Sequence, residues 1–284
     1  MKNTLPKRTM ARQAAFSRIK KKCVTYGYTV HRIPTGSFTE KTMLYHHIRK
    51  AEFIERPNRF IARVRIDGRT EEVHVKNTGR CRELLTCGCT VYLEKSDNPA
   101  RRTGYDLVAV EKVRSGKAPL LVNMDSQIPN AAAEEWLIQG ELFSADAVIK
   151  REYTYGSSRF DFCIEDKGTA SFLEVKGVTL EYDGIALFPD APTERGLKHI
   201  NELIKARNEG FGAYILFVIQ MKDIYEFRPN DITHKAFGDA LRRAEAEGVR
   251  LLAYDCAVAP DSITLDRPIK INTEQYNELE KIIM

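Results

Sequence analysis

The sequence predicts a two-domain protein, β in its first part and α/β in its second, and three observations point to it. Short apolar runs of period two crowd residues 44 to 125; helix and strand patterns alternate from residue 126 onward; and the charge balance reverses along the chain. Residues 1 to 43 hold 10 Lys or Arg against one acid, residues 44 to 125 hold 16 against 11, and residues 126 to 284 hold 18 against 27. The net charges of +9, +5 and −9 point to a polyanion held by the first two segments and another task in the third.

The elements follow in order. Residues 1 to 43, with the run Lys20, Lys21 and Lys22, show weak periodicity and are expected to form a basic extension with little fixed structure. An opening strand near RKAEFIE (49 to 55) is followed by RFIARVRI (59 to 66), a two-residue turn at Asp67-Gly68, and TEEVHVK (70 to 76) running back as the hairpin partner. A short helical patch is expected at RCRELL (80 to 85), then strands at CTVYLEK (89 to 95) and YDLVAVEKV (105 to 113). Five strands with a small helix between the third and fourth are the order of an OB-type barrel, whose open face often takes single-stranded nucleic acid or sugar. Arg59, Arg63 and Arg65 share a strand face, and Arg101 and Arg102 fall in a loop, so these five are the candidate nucleic-acid contacts. The competing reading is that they are solubilising charge.

The expected boundary lies near Asn123 to Pro129, giving domains of 44–125 and 126–284. Pro129-Asn130 opens a helix predicted through AAAEEWLIQGELF, followed by strands near 147 to 154, 159 to 165 and 171 to 177. A helix from about Glu194 to Glu209, the apolar strand AYILFVIQ (213 to 220), a helix near 233 to 247 and a strand VRLLAYDC (249 to 256) complete an α-β-β-β-α-β pattern.

Within that pattern, Glu174 and Lys176 stand two apart on a strand and share a face, while Asp161 lies on the preceding strand across the Asp166-Lys167-Gly168 turn. Close carboxylates repel unless a cation sits between them, and hard oxygen ligands suit magnesium or manganese. Glu135, on the helix that opens the domain, could complete the shell directly or through water. Lys176 would steady a water or the charge of a phosphorane, which is the chemistry of phosphodiester hydrolysis. The plainer alternative is a stabilising cross-strand pair at a sheet edge.

Other chemistries find no support. The cysteines at 81, 87 and 89 lack a CxxC and a second ligand pair, and no GxxxxGK[ST], HExxH, GxSxG or GxGxxG occurs. The longest apolar run, AYILFVI, is too short to cross a membrane, and no apolar segment follows the basic start, so a cytoplasmic protein is expected.

The chain resembles the sugar fermentation stimulation protein A family, within the restriction-endonuclease-like superfamily. The resemblance rests on RPNRFIARV, KNTGRCRELL, VNMDSQIPN, YGSSRFDF, LEVKGVTL, FPDAPTERGLKHINEL and AYDC, and covers about residues 45 to 272. It implies a prokaryotic protein with an OB-like domain, a restriction-endonuclease-like αβββαβ domain, and binding to DNA. Asp161, Glu174, Lys176 and Glu135 carry over as metal and catalytic positions, and Asp190, Thr193, Glu194 and Arg195 as pocket residues without an assigned role. Two functions follow: a magnesium-dependent nuclease, or a non-catalytic DNA-binding regulator of sugar metabolism genes.

Overall fold

The computed structural model describes residues 30–32, 43–77, 79–140 and 142–275. The chain enters with two short strands, β1 (Val30–Arg32) and β2 (Met43–Leu44), both of which join the sheet of the second half: β1 pairs with residues 148–150 and β2 with Ser262 and Ile263. Within residues 1 to 43, where little fixed structure is expected, β1 pairs to a sheet edge that satisfies its backbone. Residues 1–29 and 33–42, including Lys20, Lys21 and Lys22, lie outside the described residues.

Five strands then close a barrel: β3 (Ile48–Asn58), β4 (Ile61–Ile66), β5 (Arg69–Val75), β6 (Thr90–Lys95) and β7 (Tyr105–Lys112). The order is β5-β4-β3-β6-β7, and a parallel pairing of His74 with Asp106 and Val75 with Leu107 joins β5 to β7 and closes the barrel. Period-two alternation puts Ala62, Val64 and Ile66 inside while Arg63 and Arg65 stay outside. Asp67 and Gly68, with φ of 50° and 75°, form the expected turn between β4 and β5. The expected helical patch at residues 80 to 85 is instead a single turn, in which Leu84 and Leu85 N–H both donate to Cys81 O. The chain then turns back at Gly88, at φ 85°, whose N–H donates to Phe53 O. β8 (Leu120–Asn123), not foreseen, adds to β7.

The second half opens with helix α1 (Ile128–Ile138), shorter than the expected helix through Phe143 because Gly140 takes φ 82° and ends it. Strands β9 (Val148–Tyr155), β10 (Ser158–Asp166) and β11 (Thr169–Val178) form an antiparallel meander. After β12 (Leu180–Tyr182) and β13 (Ile185–Phe188) come helix α2 (Glu194–Asn208) and β14 (Gly212–Ile219), which lies parallel to β11. β15 (Glu226–Pro229), helix α3 (Asp231–Ala246), β16 (Arg250–Ala259), β17 (Ser262–Pro268) and β18 (Lys270–Ile271) finish the chain. The main sheet runs β1-β9-β10-β11-β14-β16-β17-β2, and a small sheet β12-β13-β15-β18 sits beside it.

The two halves are packed together. One apolar cluster runs from the barrel residues Val64, Val91 and Val122 to Phe172, Leu203 and Phe237 of the second half. A second one, under α1, joins Trp136, Leu137 and Val175 with Tyr45 and Val108. Polar bonds cross as well: Lys112 Nζ donates to Glu181 O (2.5 Å) and Oε2 (2.6 Å), and Gln220 Nε2 donates to Asn123 O and Oδ1 and to Asp125 O.

Candidate metal centre

The centre is built where β10 and β11 part. Their ladder runs from Asp166 opposite Thr169 to Phe162 opposite Leu173 and ends there. Asp161 comes next, and its Oδ2 accepts the Val175 N–H (2.7 Å), while Oδ1 accepts from Asn130 Nδ2 (2.8 Å) in the first turn of α1. The side chain thus takes up a β11 N–H just past the end of the ladder. Beside it, β11 is buried on both faces by its neighbours: Val175 faces α1, and Glu174 faces α2.

Glu174 is 3% exposed. Its Oε1 accepts from Lys176 Nζ (2.5 Å) and is in contact with Nδ1 of buried His199 on α2. Its Oε2 is buried without a hydrogen-bond partner. An unpartnered carboxylate oxygen in a low-dielectric site is costly, and a cation relieves that cost directly. Burial by itself would raise the Glu174 carboxyl, but Lys176 and His199 together hold it below its ordinary value, so it is a carboxylate at neutral pH. Asp161 is pushed up, first by burial and then by the charge on Glu174, against the pull of Val175 N–H, Lys176 and Asn130. One carboxylate held charged next to another held reluctant is an arrangement that a cation between them would relieve.

The donor set fits a hydrated hard cation, which uses one or two carboxylates and keeps several waters. It does not form a dry three-ligand cage, for among the described residues no three His, Cys, Asp or Glu side chains converge as a metal-binding group. Of the expected trio, Asp161 and Glu174 lie side by side; Glu135 is half-buried on α1 next to Trp136, and the first turn of the same helix meets Asp161 through Asn130. His199 was missed. The signal for it lay in the apolar stripe Gly196, His199, Ile200, Leu203 and Ala206 of α2, which places this histidine on the face turned to the sheet.

The four residues expected at a pocket lie around the start of α2, and of them only Asp190 lines the cavity described below. Thr193 is its N-cap, with Oγ1 accepting from Gly196 N–H (3.1 Å), and its own N–H donates to His234 Nδ1 (3.2 Å). Glu194 is exposed and faces His234 Nε2 at 3.5 Å, and Arg195 is exposed. Asp190 lies against Gly79 of the barrel, where an added Cβ would come within 2.3 Å of its Oδ2. Asp190 also lines a cavity of about 190 Å³ with Arg80, Arg82, Tyr182, Asn230 and Thr233.

The five candidate arginines divide. Arg63 pairs with Glu55 (2.6 Å) and Glu72 (3.3 Å), Arg65 with Glu52 (3.2 Å), and Arg101 grips buried Asp106 through two bonds of 2.9 and 2.6 Å. The face of Arg63 and Arg65 is thereby mixed in charge, because cross-strand acids sit directly opposite. Arg59 and Arg102 are exposed and have no acidic partner among the described residues.

Comparison with known proteins gives a consistent picture. The model of the sugar fermentation stimulation protein RE domain matches residues 127–262, and that of the SfsA N-terminal OB domain matches residues 54–117. A sugar fermentation stimulation protein homolog of Ruminiclostridium cellulolyticum is 52% identical over 229 residues, covering 81% of this chain and 99% of that one. One from Desulfitobacterium hafniense is 55% identical over 221 residues, covering 78% and 94%. The structure of Pyrococcus furiosus SfsA in complex with Ca2+ superposes with a TM-score of 0.69 at 27% identity, covering 81% of this chain and 99% of that one.

Proposed function

The chain belongs to the sugar fermentation stimulation protein family, and from that premise we propose that it is a DNA-binding protein whose second domain is a divalent-metal-dependent phosphodiesterase. The observation that carries this reading is the Glu174 carboxylate, with Oε1 held by Lys176 and His199 and Oε2 buried without a partner next to Asp161. The Ca2+ complex of the Pyrococcus furiosus relative supports a divalent ion here.

Asp161 and Glu174 would hold Mg2+ or Mn2+, which when bound supplies Lewis acidity and lowers the pKa of a coordinated water. The protein's part is positional. Val175 N–H and Asn130 fix the Asp161 oxygens, and His199 and Lys176 fix one oxygen of Glu174 and leave the other for the ion. Lys176 Nζ has two further protons with which to orient a water or stabilise charge on a phosphate oxygen. Glu135 belongs to this reading as an outer group acting through water, and Asp190, Thr193, Glu194 and Arg195 as the rim at the start of α2.

The test joins binding to chemistry. Millimolar Mn2+ should raise the melting temperature of the wild type and not that of Asp161→Asn or Glu174→Gln. Lys176→Ala should bind DNA within a few-fold of wild type and cleave it about 100-fold more slowly. The second reading, a non-catalytic DNA-binding regulator, is favoured by the absence of a three-ligand group among the described residues. It becomes the better one if the wild type binds DNA and leaves single and double strands intact with both metals.

A further inference from the structure

The hairpin between β3 and β4 carries an exposed aromatic ring on a backbone held unusually firmly. Phe60 is 49% exposed, the ring of a large apolar residue standing in water at a turn. Its N–H and that of Ile61 both donate to Asn58 Oδ1 (2.9 and 3.1 Å), and its carbonyl accepts from Val75 N–H (2.8 Å). Behind the turn, the Arg56 guanidinium reaches four carbonyls: Arg59 O (2.7 Å), Asn77 O (2.6 Å), Gly79 O (2.8 Å) and Arg80 O (3.0 Å). One side chain thereby ties the hairpin tip to the loop that follows β5, and fixes the position of Arg59 relative to Arg80.

Cationic side chains stand on both of the tied segments. Arg59 Cζ lies 5.5 Å from the centroid of the Phe60 ring, and Arg80 and Arg82 leave the tied loop into solvent. None of the three has an acidic partner among the described residues, in contrast to the occupied Arg49, Arg63, Arg65 and Arg101. Burying Phe60 at this tip is not needed for the core, yet the tip is rigid, cationic and aromatic. Those are the components that recognise an unstacked base: a π-face to stack on and cations for the flanking phosphates. In a duplex the base faces are already stacked and out of reach.

We infer that the Phe60 ring, with Arg59 beside it and Arg80 and Arg82 on the loop tied to it, is a stacking platform for an unpaired nucleobase, and that the strand this protein takes is single. The inference rests on the nucleic-acid reading above and deepens it by naming the form of the substrate. The platform lies on the barrel, outside the carboxylate centre, so its substitution leaves Asp161, Glu174 and Lys176 untouched.

The experiment measures affinity of the full chain for a fluorescein-labelled oligothymidine and for a duplex of equal length, at one salt concentration. For Phe60→Ala, affinity for the single strand should fall about 5- to 100-fold while duplex affinity stays within about twofold. Phe60→Trp should keep single-strand affinity and report directly, because the one natural tryptophan, Trp136, is buried, and the new exposed indole should be quenched when the oligomer binds. Wild-type single-strand affinity in Phe60→Ala, an equal loss for both forms, or an unquenched Phe60→Trp would each overturn the platform. A wild type that binds neither form would instead remove the nucleic-acid reading on which it stands.

Discussion

At the scale of single residues, the site turns on one carboxylate whose two oxygens have different tasks. His199 touches no reacting group; it holds Glu174 Oε1 so that Oε2 points where a cation would sit. Partners of this kind typically change metal affinity by 10- to 100-fold. His199→Ala should therefore weaken Mn2+ binding about tenfold or more by calorimetry, and His199→Asn, which keeps a short donor, should recover part of the loss. Equal Mn2+ affinity in wild type and His199→Ala would make the histidine a packing residue only. Asp161, Glu174 and Lys176 were legible in the sequence because strand period and a short turn fix their neighbourhood. His199 comes from a helix 25 residues on, and its meeting with Glu174 depends on how α2 lies across the sheet, which no local pattern encodes. Asn130 is likewise invisible to local pattern: it reaches Asp161 only because the first turn of α1 is laid against the end of the β10–β11 ladder.

At the scale of elements, the barrel is closed by a seam that sets a polar pair beside the apolar pair Val75 and Leu107. Asp106, opposite His74 where β5 meets β7, accepts from both Arg101 nitrogens and contacts His74 Nδ1 at 2.9 Å. Burial pushes the Asp106 carboxyl up, but Arg101, His74 and Lys76 outweigh it and hold it below its ordinary value. A depressed carboxyl contributes stability above its unfolded pKa of about 4, and that contribution is lost as pH falls through the folded value. Denaturant unfolding should thus show stability falling below about pH 4, and Asp106→Asn should flatten that part of the profile while lowering stability at pH 7. A parallel profile in wild type and Asp106→Asn would exclude the seam as the acid-sensitive feature. Strand alternation and the Asp67-Gly68 turn made the barrel strands readable. The helical patch at 80 to 85 misled because RCRELL has helix-forming residues, while the bonds through Arg56, Gly88 and Phe53 that tie its flanks are tertiary.

At the scale of the whole molecule, the charge gradient suggests a division of labour, yet the packing argues for one cooperative body. The apolar cluster that fills the barrel continues under α2 and α3, so neither half buries its full apolar surface alone. The small sheet β12-β13-β15-β18, whose strands are two to four residues long and leave no periodic trace, supplies a polar link across this junction through Glu181. There Lys112 Nζ donates to Glu181 Oε2 at 2.6 Å, and Glu181 Oε1 accepts from Gly184 N–H, with both charged residues buried. Lys112→Ala would leave a buried carboxylate without its counter-charge, a change that costs about 3 to 5 kcal/mol in comparable pairs. Because the pair lies across the junction, the loss should fall on the whole chain: calorimetry should give one unfolding transition for wild type and one, at lower temperature, for Lys112→Ala. Replacing both partners, Lys112→Met with Glu181→Gln, should recover much of the difference, since the cost lies in the orphaned charge more than in the lost bond. Two separate transitions in the wild type would show instead that the barrel and the second domain melt independently, and that the junction adds contact without coupling.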